Sequence, residues 1–319
     1  MAVYTDITDD ELDALLAGYD LGRPLAFKGI AEGVENSNFL LETERGRFIL
    51  TVYERRVREG ELPYFLGLMG HLADHGYPSA RPMADRDGRV LQKLRGKPAA
   101  IVEFLTGLSV RRPSAAHCRE AGTGLARLHE AGAAFEMTRP NDLGQSGWGS
   151  LFARLGEAAD GLKPGLAATI AADLDHLAAA WPSDLPSGTI HADYFPDNVF
   201  FDAGRFAATI DYYFACTDAY AYDVAVALNA WCFEADGSFN VTSARAFVGG
   251  YEQVRPLSGA ERAALPVLAH GAAMRFFLTR LADWGATPAG ALVRPKDPLE
   301  YERKLAVHRA GLALLGDHA

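Results

Sequence analysis

The chain has 319 residues, of which 49% are hydrophobic and 23% are charged. This length predicts about two domains, and the composition excludes a disordered, collagen-like or coiled-coil protein. Thirty-one basic residues against 41 acidic residues give a formal net charge of −10, which makes nucleic acid and anionic membranes unfavourable partners.

The N-terminus and the cysteines indicate the cellular compartment. MAVYTDITDDELDALL places acidic residues where a signal peptide needs positive charge, and no later apolar stretch is long enough to span a bilayer. Cys118, Cys216 and Cys232 are widely spaced and form no CxxC pair, so neither a zinc site nor a disulfide framework is predicted. We therefore expect a cytoplasmic protein.

The first hundred residues are predicted to form mainly strands. A capping box at Thr8-Asp9-Asp10-Glu11 begins a short helix. Apolar residues at helical spacing between Leu62 and Leu72 predict a helix after the third strand. The predicted strands are PLAFKGI, NFLLET, RFILTVYE, VLQKL and AAIVEFL. Together these elements indicate a mostly antiparallel sheet with one inserted helix.

Beyond Thr106-Gly107, alanine and leucine recur at helical spacing. Helices are predicted at residues 113–131, 165–181, 222–234, 243–254, 259–284 and 298–315. A short block of strands, GTIH, NVFF and FAATID, lies between the second and third of these helices. We expect a small β-rich domain, a short crossover and a large helical domain, with ligands bound in the cleft between the two.

Several common motifs fail their tests. Gly122-Thr123-Gly124 lacks the third glycine of a dinucleotide fingerprint and lies inside a helical pattern, so helix packing is the better interpretation. Gly96-Lys97 is followed by Pro98 where a P-loop needs serine or threonine, and no GxSxG elbow occurs. The sequence therefore lacks the residues that define the common NTPases, dehydrogenases and hydrolases.

One segment has the spacing of a phosphoryl-transfer loop. Asp193 follows His191 by two residues, Asn198 follows Asp193 by five, and Asp211 ends the second strand beyond. Such a transfer needs a carboxylate to orient the attacking hydroxyl and accept its proton, and magnesium to neutralise the phosphates. We predict a turn that carries Asp193, a strand that begins at Asn198, and a hairpin that returns Asp211 beside Asn198, so that two oxygen ligands converge on hard cations.

The alternative is that these residues only shape turns, as Asp and Asn commonly do before a strand. That interpretation suits Asp197 and Asp202. It does not suit Asp211, which is predicted to end a buried apolar strand, where a carboxylate is costly unless it is liganded. The kinase interpretation is therefore favoured.

Asp193, Asn198 and Asp211 resemble the motif of the aminoglycoside phosphotransferase and choline kinase-like superfamily, and longer strings resemble the bacterial homoserine kinases. These strings run from about Gly29 to Arg309: GIAEGVENSNFLL, RFILTVYE, LPYFLGLM, HADYFPDNVFF, IDYYFACTDAYAYDVA, LNAWCFE, RPLSGAERAALP, RFFLTRL and PKDPLEYERKL. The resemblance implies an α+β, bilobal, protein-kinase-like fold. A small antiparallel-sheet N-lobe would occupy residues 1–105, and a larger, mainly helical C-lobe residues 106–319.

The resemblance also implies an enzyme that uses ATP and Mg²⁺ to convert L-homoserine to O-phospho-L-homoserine, a step toward threonine. Asp193 would be the catalytic base, and Asn198 and Asp211 would be the magnesium ligands. His191 would buttress the loop, and Asp223 would hold it through hydrogen bonds to the backbone or to His191.

Nucleotide contacts are implied at two further places. The turn from Gly33 to Ser37, which includes Asn36, would close over the phosphates. The backbone from Glu103 to Leu105 would contact the adenine ring.

One departure from the family's pattern concerns the third strand, where many relatives carry a lysine or arginine that pairs with the phosphates. Thr51 occupies that position here. Arg55 and Arg56 follow at the end of the strand and Lys28 precedes the loop, and the choice among these cations stays open.

The acceptor is expected to be a small zwitterionic amino acid, which needs an acidic group near its ammonium and a basic or amide donor near its carboxylate. The polar candidates are Asp218, Asn229, Glu234 and Arg275, of which Asp218 and Arg275 are chosen, and Arg275 could equally pair with a structural carboxylate. Two alternatives stay open. The same fold could phosphorylate choline, ethanolamine, a sugar or an aminoglycoside, or the chain could be a nucleotide-binding pseudokinase, which only Thr51 supports.

Overall fold

A computed structural model describes residues 5–30, 36–54, 58–286, 295–313 and 315. The chain divides into two compact units. Unit 1 comprises Met1–Gly107, Phe135–Met137 and Ala207–Tyr213, and unit 2 comprises Leu108–Ala134, Thr138–Phe206 and Phe214–Ala319.

Unit 1 is built on a five-stranded antiparallel sheet with the strand order β1-β2-β3-β5-β4. Its strands are β1 (Pro24–Ile30), β2 (Ser37–Thr43), β3 (Gly46–Val52), β4 (Gln92–Leu94) and β5 (Lys97–Glu103). Helix α2 (Leu62–Asp74) follows the third strand. The predicted antiparallel sheet with one inserted helix is confirmed.

One face of this sheet forms the core of unit 1. Alternate residues of β2 and β3, such as Leu41 and Leu50, are fully buried against helix α1 (Asp9–Leu16) through Leu12 and Leu16. Helix α1 begins with the predicted capping box, in which Thr8 and Glu11 bond to each other's main-chain N–H groups. The opposite face therefore carries the intervening residues of each strand.

Unit 2 is mainly helical. Its helices are α3 (Ala115–Gly132), α4 (Gln145–Ala153), α5 (Gly156–Leu162), α6 (Leu166–Ala180), α7 (Tyr220–Trp231), α8 (Val241–Glu252), α9 (Gly259–Ala286) and α10 (Pro298–Arg309). The six predicted helices are confirmed within a few residues at their ends, except that α10 ends six residues earlier than predicted. Helices α4 and α5 were not predicted, because their glycines weaken the helical pattern; Trp148 nevertheless buries α4 against Trp181.

Glycine allows the close contact between α3 and α8. A Cβ added to Gly122 would lie 2.0 Å from the carbonyl oxygen of Phe247, and one added to Gly250 would lie 2.0 Å from that of Arg119. Gly122-Thr123-Gly124 is therefore a helix-packing element, as its position in the helical pattern predicts.

Four short strands complete the fold: β6 (Ser187–Ile190), β7 (Val199–Asp202), β8 (Arg205–Thr209) and β9 (Cys216–Ala219). Strand β9, which was not predicted, pairs with β6, and β7 pairs with β8. The prediction that a strand ends at Asp211 is wrong, since β8 ends at Thr209, whose hydroxyl bonds with that of Tyr77 at 2.7 Å. No helix among the described residues is long and apolar enough to cross a membrane.

Candidate active site

The loop between β6 and β7 carries the predicted catalytic motif. Strand β6 ends at Ile190, a 3₁₀ turn spans Pro196–Asn198, and β7 begins at Val199. His191 and Asn198 are buried, whereas Asp193 keeps part of its surface exposed. Asp193 therefore lies between the buried residues Ala192 and Tyr194 with part of its own surface exposed.

The backbone of this loop is strained at Ala192, whose φ is +60°. A left-handed conformation costs a residue with a Cβ roughly 1–2 kcal/mol, so it must be held by other contacts. Asp223 on α7 supplies two of them, because its carboxylate accepts hydrogen bonds from the N–H groups of His191 (2.7 Å) and Ala192 (2.8 Å). The predicted backbone bonds from Asp223 to the loop are thus present.

Two residues that the sequence did not single out extend this network. Nε2 of His129 on α3 donates to the Asp223 carboxylate at 2.9 Å, and the Tyr251 hydroxyl lies 2.8 Å from His129 Nδ1. Burial alone would raise the pKa of Asp223, but the hydrogen bonds and charges of His129 and His191 outweigh it and lower that pKa. A lone histidine on the apolar face of a helix carries no motif spacing that reveals this role.

Asn198 and His191 hold Asp193 directly. Nδ2 of Asn198 donates to the main-chain oxygen of Asp193 at 2.9 Å and to its carboxylate at 3.2 Å. Nδ1 of His191 accepts from the N–H of Asp193 at 3.2 Å. The three motif residues of this loop therefore form one hydrogen-bonded group.

The carboxyl group of Asp193 has a raised pKa because burial penalises its charged form. The positive charges of Arg275 and Lys296 oppose this effect without cancelling it. A carboxylate with a raised pKa is a better proton acceptor than an ordinary aspartate, which suits a general base.

The two acceptor candidates have different surroundings. Asp218 on β9 is half-buried, and its carboxylate accepts hydrogen bonds from Asn141 Nδ2 and from the N–H of Ala219, both at 2.7 Å. Arg275 on α9 is only 2% exposed, and its Nη1 donates to the carbonyl oxygen of Ala192. The guanidinium is therefore engaged with the loop itself.

Lys296 is a cation near the loop that the sequence did not single out. It is exposed, it precedes α10, and its Nζ lies 5.6 Å from the ring centroid of Phe195. Unlike Arg275, Lys296 presents its charge to solvent beside the residues that follow Asp193.

The predicted magnesium ligands supply oxygen atoms that fit a hard cation. Asn198 uses its amide nitrogen for Asp193, so its carbonyl oxygen is the atom to offer to a metal. Asp211 lies in unit 1, is exposed and has a φ of +64°. The expectation that Asp211 is buried at a strand end is wrong, and its convergence with Asn198 stays a prediction.

The described residues contain no group of three or more His, Cys, Asp or Glu side chains that could hold a metal alone. Mg²⁺ is usually bound by one or two protein oxygens together with substrate phosphates and water. An amide and a carboxylate therefore fit magnesium that arrives with a nucleotide.

The predicted phosphate-binding turn is only partly described, because Gly33 lies outside the described residues. Ser37 donates its hydroxyl hydrogen to Glu54 at 2.6 Å, and the side-chain oxygen of Asn36 accepts from the N–H of Glu54 at 3.4 Å. Glu54 also pairs with Lys97. The side chains of Asn36 and Ser37 are thus committed to structural contacts.

The register of the sheet separates the candidate cations by face. Thr51 pairs with Asn38, to whose side-chain oxygen it donates at 2.8 Å. Lys28 pairs with Leu40, which lies two residues beyond Asn38 in β2, so Lys28 shares the face of Thr51. Lys97 lies on the opposite face, in line with the buried Ala99.

Arg55 and Arg56 lie outside the described residues. Within β1 to β3, the face of Thr51 carries two described cations, Lys28 and Arg47, and Arg47 is stacked on the ring of Phe104 at 5.0 Å. Of the two described cations on this face, Lys28 is therefore the one that is not stacked on an aromatic ring.

The main chain at the end of β5 has both an uncommitted donor and uncommitted acceptors. The N–H groups of Glu103 and Phe104 bond to the carbonyls of Arg81 (2.9 Å) and Arg47 (3.3 Å). In the described part of the chain, the groups without such a bond include the Glu103 carbonyl and the Leu105 N–H, an acceptor and a donor two residues apart. Such a pair matches the edge of an adenine ring, which offers a donor beside an acceptor.

Comparison with known proteins places this geometry in a family. The model of the "Phosphotransferase enzyme family" matches residues 26–257. A homoserine kinase of Caulobacter sp. (strain K31) is 73% identical over 317 residues, 99% of each chain. A homoserine kinase of Xanthobacter autotrophicus is 61% identical over 310 residues, 97% of each chain.

A solved structure supports the fold. The structure of amicoumacin kinase hAmiN has a TM-score of 0.70 at 16% sequence identity, covering 95% of this chain and 92% of that one. The α+β, protein-kinase-like fold expected from the sequence is confirmed.

Proposed function

The chain belongs to the phosphotransferase enzyme family and, within it, to the homoserine kinases, and from this membership we propose that it transfers the γ-phosphoryl group of ATP to the side-chain hydroxyl of L-homoserine. The product would be O-phospho-L-homoserine, a step toward threonine. The observation that carries the proposal is the placement of Asp193, a partly exposed residue whose carboxylate is bonded by Asn198 and whose N–H is bonded by His191, on a loop tied to Asp223.

Asp193 would orient the hydroxyl of homoserine for in-line attack and accept its proton. The raised pKa of Asp193 supports this role. Asp223 and His191 would act on the loop and not on the substrate, since both are fully buried.

The adenine ring would be contacted by the Glu103 carbonyl and the Leu105 N–H. The turn from Gly33 to Ser37 would close over the phosphates. Lys28 would supply the cation that Thr51 does not. The solved amicoumacin kinase is described in complex with AMP-PNP and Ca²⁺, which supports an adenine nucleotide and a divalent cation here.

Asn198 and Asp211 would hold magnesium. A bound magnesium ion supplies charge neutralisation for the phosphate oxygens. The protein's own contribution is to present the two oxygen atoms and to keep Asn198 bonded to Asp193.

The acceptor would be recognised by charge. Asp218, oriented by Asn141, would meet the ammonium group of homoserine. Lys296 would meet its carboxylate, because it is an exposed cation beside Phe195. A cation at this place is unfavourable for choline, which carries a positive charge and no carboxylate.

An ATP-consumption assay with magnesium against L-homoserine, serine, choline, ethanolamine and kanamycin tests the proposal. We expect turnover with homoserine, and we expect Asp193→Asn to lower kcat about 1,000-fold while nucleotide binding persists. Asp202→Asn, at the exposed end of β7, is the matched control and keeps wild-type kcat. Turnover with a different acceptor would show that the substrate is not homoserine. The absence of turnover with every acceptor, with ATP still bound, would favour the pseudokinase.

A further inference from the structure

Arg275 is a buried cation whose charge acts on the carboxyl group of Asp193 without forming a direct salt bridge among the described residues. Its side chain forms no ion pair with a carboxylate of the described residues, although only 2% of the residue is exposed. The rings of Phe276 and Phe214 lie 4.6 and 5.5 Å from the guanidinium carbon. A buried arginine that makes no direct ion pair is costly, so a specific contact must account for its presence.

That contact is the carbonyl oxygen of Ala192, to which Nη1 of Arg275 donates. Ala192 is the left-handed residue directly before Asp193, and its N–H bonds to Asp223 at 2.8 Å. The N–H and the carbonyl group of Ala192 are therefore held by side chains from two different helices, α7 and α9. Each bond to a charged group is stronger than an ordinary main-chain hydrogen bond.

We propose that Arg275 is a positioning residue for phosphoryl transfer, which holds the left-handed turn at Ala192 and thereby places Asp193, and that it does not bind the carboxylate of the acceptor. This inference rests on the proposed function. The competing role needs a guanidinium that an acceptor can reach. Arg275 is buried and one of its amino groups is taken by Ala192, but its Nε has no hydrogen-bond partner in the described structure, so a test must separate the two roles.

The test compares two acceptors that differ only in the carboxylate, L-homoserine and 3-aminopropan-1-ol. For Arg275→Met we expect kcat to fall about 100-fold, because a small displacement of a catalytic group has effects of that size. The KM for homoserine should stay within about threefold, and kcat/KM should fall by the same factor for both acceptors. A loss confined to homoserine, or a raised KM with unchanged kcat, would overturn the proposal.

A second pair of variants tests the strained turn. Arg275→Lys keeps one donor, and we expect a kcat about tenfold below that of the wild type. Adding Ala192→Gly should recover most of that loss, because glycine adopts a positive φ without a steric cost. Ala192→Gly alone provides the reference kcat for the double variant. No recovery in the double variant would contradict the positioning role, since a substrate contact gains nothing from glycine.

Arg309→Met is the control at a second arginine, because the partly exposed Arg309 binds the buried carboxylate of Asp173 at 2.6 Å and makes no bond to the loop. It should lower thermal stability and leave kcat unchanged. If Arg275→Met does not fold, the kcat values of Arg275→Lys with and without Ala192→Gly test the positioning role instead. If the wild type turns over neither acceptor, the proposed function fails first, and the same variants are measured with whichever acceptor of the panel is phosphorylated.

Discussion

The loop around Asp193 and the sheet face around Thr51 place polar groups by opposite means. The loop has an irregular backbone held by its own Asn198 and by Asp223 and Arg275, two side chains that come from distant parts of the chain. Thr51 lies in a regular sheet and makes a neutral hydrogen bond with Asn38, its neighbour in the register.

This difference has an energetic consequence. In the loop, charges are buried and compensate one another, so the loss of one leaves others unpaired. On the sheet face, each side chain is placed by strand pairing and makes few contacts, so a substitution there acts alone. Changes in the loop should therefore affect both stability and turnover, whereas changes on the sheet face should affect one property at a time.

Asp223→Asn should have the largest effect. The variant loses the negative charge opposite His129 and places an amide donor against donors, which should lower the free energy of unfolding by about 3 kcal/mol. Because Ala192 loses its partner, kcat should fall as well. Chemical denaturation and steady-state kinetics on the same sample measure both effects.

The pH dependence of stability provides a check on Asp223. Its pKa is lowered in the folded state, so it contributes stability above its unfolded pKa and loses that contribution as the pH falls through the folded pKa. Below about pH 4 the difference in unfolding free energy between the wild type and Asp223→Asn should therefore shrink. A constant difference across that range would show that the charge of Asp223 does not stabilise the fold.

An intermediate effect is expected for the two lysines on opposite faces of the sheet. Lys28→Met should raise the KM for ATP about tenfold, the value of one charge-assisted contact. Lys97→Met, the matched control, should leave that KM unchanged and only lower stability, because Lys97 pairs with Glu54 on the core face. An equal rise in KM for both variants would contradict the assignment by face.

Thr51→Val should have the smallest effect. The variant keeps the shape of the side chain and loses the hydrogen bond to Asn38, which should cost about 1 kcal/mol of unfolding free energy. The KM for ATP and kcat should not change, because this hydroxyl is committed to Asn38. A clear increase in KM would show that Thr51 itself contacts the nucleotide.

The sequence was most informative where chemistry depends on spacing along the chain. Asp193 and Asn198 lie five residues apart in one loop, and that spacing alone predicted their proximity, which the bond between them confirms. Strands β1 to β3 and helix α3 were likewise predicted from local periodicity. Helix α4 was missed because its burial depends on Trp181, a residue in a different part of the chain.

The sequence by itself determined the alternation of the sheet, the helices of unit 2 and the motif of the loop, because each of these depends on residues close together in the chain. Only the tertiary structure decided which side chains hold Ala192 in its left-handed conformation. His129, Asp223 and Arg275 come from three separate helices, and their roles depend on where those helices bury them. Burial and pairing give a charge its function, and both are properties of the packed chain.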